Sequence, residues 1–159
     1  MVAETVLEAI RAFLNTHGVA FVEKQHEPTF TSEESARARG ESLSIGAKAL
    51  VVKADAWYRL LVVPADRKLD SQAVKRHFGA KKLRFANAVE LLELTGLAPG
   101  SVPPFGEPIL PLELWADPAL GKNEKIGFNA GSLTTSIVMS LDDYRRVAGA
   151  QWMPMTQQP

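Results

Sequence analysis

Gly46-Ala47-Lys48-Ala49-Leu50-Val51-Val52-Lys53-Ala54, followed after Asp55-Ala56 by Trp57-Tyr58-Arg59-Leu60-Leu61-Val62-Val63-Pro64, carries the strongest secondary-structure signal in the chain. Two aliphatic, β-branched runs at 47–53 and 57–63 flank a short polar break, and Pro64 closes the second, so the spacing predicts a strand pair crossing the core. Side chains alternate faces along a strand, which puts Lys48 with Leu50 and Val52, and Lys53 with Val51. If Leu50 and Val52 face the interior, Lys48 must emerge into a pocket at the head of the strand, because an unpaired buried ammonium is expensive. The residue type alone leaves a second reading open, in which the lysine stem lies along apolar surface and the charge sits in water.

On the N-terminal side, Val6, Leu7, Ile10, Phe13 and Leu14 recur at helical spacing, and Gly18 stands where a left-handed cap would end that helix. A short strand is expected at 21–25. Pro28 then breaks the chain, and Thr31 with Glu34 forms a capping pattern opening a helix to about Arg39. On the C-terminal side, Asp70 caps a helix ending at Gly79, residues 82–85 read as a brief strand, and Asn87 with Glu90 caps a helix ending near Gly96. Residues 98–111 hold five of the ten prolines, so they form a loop with a largely preset backbone. Strands follow at 109–115, 125–129 and 134–139, and Ser140 with Asp143 caps a last helix to about Ala148. The elements interleave without a strict βαβ rhythm and no internal repeat is present. The expected architecture is therefore α/β of the mixed α+β kind: one domain over 1–150, with a central mixed sheet of about six or seven strands surrounded by helices. A loose tail is expected over 151–159.

Composition narrows the functional classes. At 159 residues and 46% hydrophobic content the chain can build one core. Lys+Arg and Asp+Glu are equal at 18 each, so no global field holds a polyanion, and any nucleic-acid contact must be local; scanning along DNA is not expected. The absence of cysteine excludes disulfides, thiolate nucleophiles and Cys-based zinc sites and suits a cytoplasmic protein. No apolar run approaches the roughly 18 residues of a membrane span, and the first residues lack the pattern of a signal peptide. His17 and His77 have no ligand partners at helical spacing, so neither a metal nor another cofactor is expected, and no Ser-His-Asp arrangement is readable. His26 is a candidate general base, although a histidine near a turn more often serves packing or hydrogen bonding.

Three further segments bear on function. Gly100-Ser101-Val102-Pro103-Pro104-Phe105-Gly106 combines glycines, which let a ligand approach the backbone, with prolines, which hold neighbouring amides in fixed directions. Phe128-Asn129-Ala130-Gly131-Ser132 ends a strand, and His26-Glu27-Pro28 leads through Phe30-Thr31 into a helix. Lys48, then residues 100–106, then 128–132, in this order along the chain and with the His26 segment before them, resemble the YbaK/prolyl-tRNA-synthetase-associated family of aminoacyl-tRNA deacylases, over roughly His26 to Tyr144. The resemblance implies the same fold and the hydrolysis of wrongly charged tRNA. It implies that Lys48 engages the terminal adenosine or its phosphate, and that residues 100–106 cradle the substrate. It also implies that the segment with Phe30 and Thr31 leads to the amino-acid pocket, which Asn129, Gly131, Ser132 and Leu133 complete. The implied mechanism needs no side-chain nucleophile: a held water attacks the ester, helped by the free ribose hydroxyl and positioned by backbone amides and Lys48.

The sequence departs from the alanine-specific members at two places, with Ala49 after the lysine and Leu133 after Gly131-Ser132, where those members have asparagine and histidine. The exchange suggests a roomier apolar pocket, for alanine and 2-aminobutyrate. The resulting expectation is a free-standing trans-editing enzyme for tRNA for proline carrying a small wrong amino acid. Its partners would be the tRNA acceptor end and, as presenter, prolyl-tRNA synthetase. Lys75, Arg76, Lys81, Lys82 and Arg84 form the densest basic cluster and face either tRNA phosphates or plain solvent. Two other classes stay open: a non-catalytic tRNA- or nucleotide-binding module, and a hydrolase of small aminoacyl esters independent of tRNA.

Overall fold

The computed structural model describes residues 5–158. Five helices begin at side-chain caps, four of them at the residues the spacing suggests and α1 at Thr5: α1 (Val6–Thr16), α2 (Ser32–Arg39), α3 (Ser71–Phe78), α4 (Ala88–Thr95) and α5 (Leu141–Val147). Thr5, Thr31, Asp70, Asn87 and Ser140 each accept a hydrogen bond from the amide three residues on, which satisfies a donor that the helix itself leaves orphaned. At α4 the box is complete, because Glu90 also reaches back to the amide of Asn87.

Eight strands divide into two sheets rather than one. The larger has the order β4-β2-β3-β5-β8, formed by β2 (Ala47–Ala54), β3 (Trp57–Pro64), β4 (Leu83–Phe85), β5 (Glu113–Ala116) and β8 (Gln151–Trp152). β2 and β3 make the expected antiparallel hairpin with Lys48 opposite Val63, while β5 runs parallel to β3 and β8 parallel to β5. The smaller sheet is antiparallel with the order β1-β7-β6, from β1 (Phe21–Gln25), β6 (Lys125–Asn129) and β7 (Thr135–Ser140). One isolated parallel bridge, Gly46 to Gly127, links the two. A Cβ at Gly46 would lie 2.7 Å from the Ala65 methyl, so no larger residue fits where the sheets meet. Of the strand expected at 109–115, only the part from Glu113 forms, because Leu110 and Leu112 turn into the core instead.

The second half of β3 is buried on both faces, which is why Leu60 to Val63 is continuously apolar rather than alternating. Val51, Leu60 and Val62 join the main core with Ile10, Leu14, Phe105, Phe128, Ile137 and Tyr144. Val52, Leu61 and Val63 face a second cluster with Val74, Met153 and Met155. That second face corrects the expectation of a loose tail. Met155 is fully buried, its amide and the hydroxyl of Thr156 donate to Asp117 Oδ2 at 2.8 and 2.9 Å, and Thr156 bridges to Leu69. An apolar sheet face left open to water would be costly, and the tail covers it. Among the described residues no helix is long and apolar enough to cross a membrane.

Candidate active site

β4 pairs only with Val52 to Ala54, so the first half of β2 is an open sheet edge. A cleft of about 440 Å³ opens along it. One wall is the entry and first turn of α2, another is the head of β2, and Gly100, Val102 and Asn129 close the third. Lys48 stands exposed at this edge, on the Leu50 and Val52 face as the alternation requires, and Phe30 projects beside it at 75% exposure. The lining is largely polar: Thr29, Thr31, Ser32, Glu33, Ser35 and Asn129 contribute hydroxyl, carboxylate and amide groups. Thr29 and Ser35 are buried and satisfy each other at 2.8 Å between their hydroxyls.

The most unusual lining group is Arg39, the last residue of α2, only 6% exposed. Its Nε donates to Ser136 Oγ at 3.0 Å and its Nη2 to Asn129 Oδ1 at 3.1 Å. None of the ion pairs among the described residues includes it. Glu41 acts on it only at a distance and is itself paired with Lys125 at 2.9 Å. Burial pulls the guanidinium pKa down to about 10, against which Glu41 pushes weakly, so the group remains a cation at neutral pH. Asn129 in turn donates through Nδ2 to the Gly100 carbonyl at 2.7 Å, tying this charge to the loop.

Residues 26–147 match the family of aminoacyl-tRNA editing domains. The chain belongs to this family. Over 143 residues it is 36% identical to the multifunctional Ser/Thr-tRNA deacylase ProXp-y of Escherichia coli, covering 86% of this chain and 84% of that protein. Over 86 residues it is 35% identical to the proline–tRNA ligase of Bacillus licheniformis, covering 54% of this chain but 15% of the ligase. The crystal structure of a candidate trans-editing enzyme for prolyl-tRNA synthetase superimposes with a TM-score of 0.82 at 26% identity, covering 99% of this chain and all of the other. The chain is thus an aminoacyl-tRNA deacylase of the editing type.

In this editing domain, Phe30, Thr31, Lys48, Gly100, Val102 and Asn129 of the expected site residues line the cleft together. Thr31 also caps α2, accepting from the Glu34 amide at 3.1 Å. The rest of the 100–106 loop anchors it from behind. Ser101 is buried and donates through its hydroxyl to the Ala98 carbonyl at 2.7 Å. Pro103 and Pro104 are buried, Phe105 stacks edge-on against Phe13, Phe128 and Tyr144, and Tyr144 donates to the Pro104 carbonyl at 2.7 Å. Gly106 is held so close to Leu112 that a Cβ would meet its carbonyl oxygen at 2.5 Å. Gly131, Ser132 and Leu133 form the turn between β6 and β7 beside the cleft, not in its lining. Gly131 packs on Val6 of α1, and the Ser132 hydroxyl pairs with that of Thr134. Leu133 lies next to Gly100 and accepts at its carbonyl from the Thr29 amide.

The structure does not bring His26 into the lining. Its Nδ1 meets the Glu27 carbonyl at 2.8 Å and its Nε2 meets Ser136 Oγ at 2.9 Å, so both ring nitrogens are engaged and Nε2 serves the network behind Arg39. The basic cluster also lies away from the cleft lining, and part of it is occupied. Arg84 forms a two-pronged pair with Glu90 at 2.7 and 2.8 Å, and the amides of Lys81 and Lys82 hold the Asp55 carboxylate. Those amide bonds, foremost Lys82's, keep Asp55 below the usual carboxylate range. Among the described residues there is no group of three or more side chains placed to hold a metal ion.

Sequence reading missed Arg39, Ser35 and Thr29. A signal was present: with α2 opening at Thr31, Ser35 and Ala36 are small and lie three to four residues before Arg39 on one helical face, whereas Arg37 falls on the exposed side. Small residues on an inward face leave room for a long side chain to run along it.

Proposed function

We propose that this chain is a free-standing cytoplasmic trans-editing enzyme that hydrolyses the ester between a small wrong amino acid and the terminal ribose of a tRNA. The single observation that carries the reading is the cleft at the head of β2, where Lys48 stands at the exposed edge and hydroxyl and amide groups line the interior. Lys48 is free to meet the phosphate of the terminal nucleotide, and the end of the tRNA enters along the open sheet edge. Phe30 offers a face on which the terminal base can stack. The attacking group is a held water, and the rate comes from orientation and fixed charges.

The lining favours a hydroxyl-bearing amino acid. Thr29, Thr31, Ser32, Ser35 and Asn129 surround the space with groups that can exchange hydrogen bonds with serine or threonine. A site built to pair with a substrate hydroxyl rejects the analogue lacking it far more strongly than an apolar pocket rejects a missing methyl. The E. coli relative's name, a Ser/Thr-tRNA deacylase, agrees with this choice. Alanine or 2-aminobutyrate on tRNA for proline is the second reading, favoured by Ala49 in the lining and by the likeness to the ligase. Prolyl-tRNA synthetase is the proposed presenter of the tRNA.

The test is hydrolysis of seryl-, threonyl-, alanyl-, 2-aminobutyryl- and prolyl-tRNA for proline by wild type and Lys48→Ala, beside free aminoacyl esters and uncharged tRNA. Loss of the seryl and threonyl esters, with prolyl-tRNA spared and the variant impaired, supports the proposal. Preference for the alanyl and aminobutyryl esters selects the second reading. Binding of tRNA without turnover would leave a binding module, and equal activity on free esters would leave a tRNA-independent hydrolase.

A further inference from the structure

Arg39 is not accounted for by fold stability. Removing a guanidinium from water costs several kcal/mol, and such a group is normally compensated by a carboxylate. Here Nε and Nη2 are pinned by two neutral acceptors, Ser136 and Asn129, while Nη1 has no hydrogen-bond partner among the described residues. Nη1 is nevertheless not sealed off, since the one fully solvent-excluded side-chain nitrogen or oxygen without a hydrogen-bond partner among those residues is Arg59 Nε, which is ion-paired with Glu113. It lies 3.8 Å from where a Cβ of Gly46 would be, on the β2 side of the cleft, with Asn129 and Gly100 on the other side. The result is a preorganised cation in the cleft lining, two of its nitrogens fixed and Nη1 without a hydrogen-bond partner among the described residues.

What such a donor awaits is an anion that can reach the bottom of the cleft. A phosphodiester is flanked by a ribose on each side and cannot present itself end-on to a group 6% exposed. The substrate's α-ammonium is excluded by charge and is better served by Glu33, the lining carboxylate nearer solvent. The remaining candidate is the ester carbonyl, neutral in the bound substrate and anionic once attacked.

We propose that Arg39 is a catalytic residue of the deacylation, donating from Nη1 to the oxyanion of the tetrahedral intermediate. This rests on the deacylase reading above. Water oxygen bonds to the carbonyl carbon and the π pair moves onto the carbonyl oxygen, where Arg39 holds it. When that pair returns, the bond to the ribose oxygen breaks, and the proton lost by the water ends on the ribose oxygen. The products are the free amino acid and the tRNA hydroxyl. A charge held in place by Ser136 and Asn129 thus meets its opposite charge as the transition state is reached, the condition for raising kcat rather than tightening binding.

The experiment compares wild type, Arg39→Gln and Arg39→Lys on seryl-tRNA, or on alanyl-tRNA if wild type cleaves that ester faster. It measures kcat and KM separately, together with affinity for uncharged tRNA and thermal midpoint. The expected result for Arg39→Gln is a fall in kcat of about 10²–10³-fold, the range for loss of one oxyanion donor, with KM and tRNA affinity little changed. Arg39→Lys, which keeps stem and charge but not the fork, recovers part of the rate. If Arg39→Gln does not fold, Arg39→Lys decides alone: reduced kcat at an unchanged KM supports the role, and wild-type kcat overturns it. Wild-type kcat in Arg39→Gln, or a loss confined to KM, also overturns it while leaving the deacylase reading intact. A wild type that cleaves neither ester sinks both.

Discussion

Nδ2 of Asn129 donates to the carbonyl of Gly100 at 2.7 Å, so the end of β6 sets the height of the loop that closes the cleft. Gly100 has a φ of +87°, a region L side chains rarely occupy, and Asn129 Oδ1 meanwhile accepts from Arg39. One amide therefore positions both the loop and the buried cation. Asn129→Ala should lower kcat on a mischarged tRNA by about 10²-fold, the scale of a 1 Å misplacement at a reacting centre. Steady-state kinetics check this, and an unchanged kcat would mean that loop and cation hold their places without the amide.

Glu90 supplies an acid limb to stability. Its carboxylate accepts from Arg84, the Asn87 amide and the Tyr58 hydroxyl, and these bonds, Arg84's first, hold it far below the usual carboxylate range. A depressed carboxylate contributes stability that is full above the unfolded-state value of about 4.3 and is lost as pH falls toward the folded value. Glu90→Gln should therefore lower the thermal midpoint at pH 7, with the gap to wild type closing below about pH 4. A gap that stays constant down to the most acid pH would exclude this linkage.

Met155 seals the second face of the hairpin although it lies four residues from the end of the chain. Met155→Ala should destabilise by about 2–5 kcal/mol, the range for emptying a buried site. Urea titration measures it. A change below 1 kcal/mol would show that the tail contributes little to covering that face.

Tyr144 is fully buried, with its hydroxyl on the Pro104 carbonyl, and burial pushes its pKa well above the ordinary value. Tyr144→Phe keeps the ring among Phe105 and Trp152 but leaves that carbonyl without its donor, at a cost of about 1–3 kcal/mol. Because the hydroxyl supports the back of the loop, the variant should also lose some activity. Equal stability together with full activity would deny the anchor.

The helices were legible because their signals are local. A cap and the amide it satisfies are three residues apart, and the hairpin's runs face each other across two residues, so Thr31, Asp70, Asn87 and Ser140 announce their helices in a short window. Lys48 was legible for the same reason: alternation along one strand places it on the face of Leu50 and Val52 and at the strand's exposed head.

The sequence by itself therefore determined the order of the five helices and of β1 to β7, the hairpin and the candidate lysine, but not β8 in the tail. Tertiary structure decided which strand edges meet and what lies at the bottom of the cleft. β6 and β7 pair with β1 rather than with the hairpin, leaving the first half of β2 open. Arg39 reaches Asn129 across 90 residues and Ser136 across 97, and His26 reaches Ser136 across 110. No periodicity spans such separations. Only the packing of two sheets around α2 turns one of two similar arginines inward and makes it part of the site.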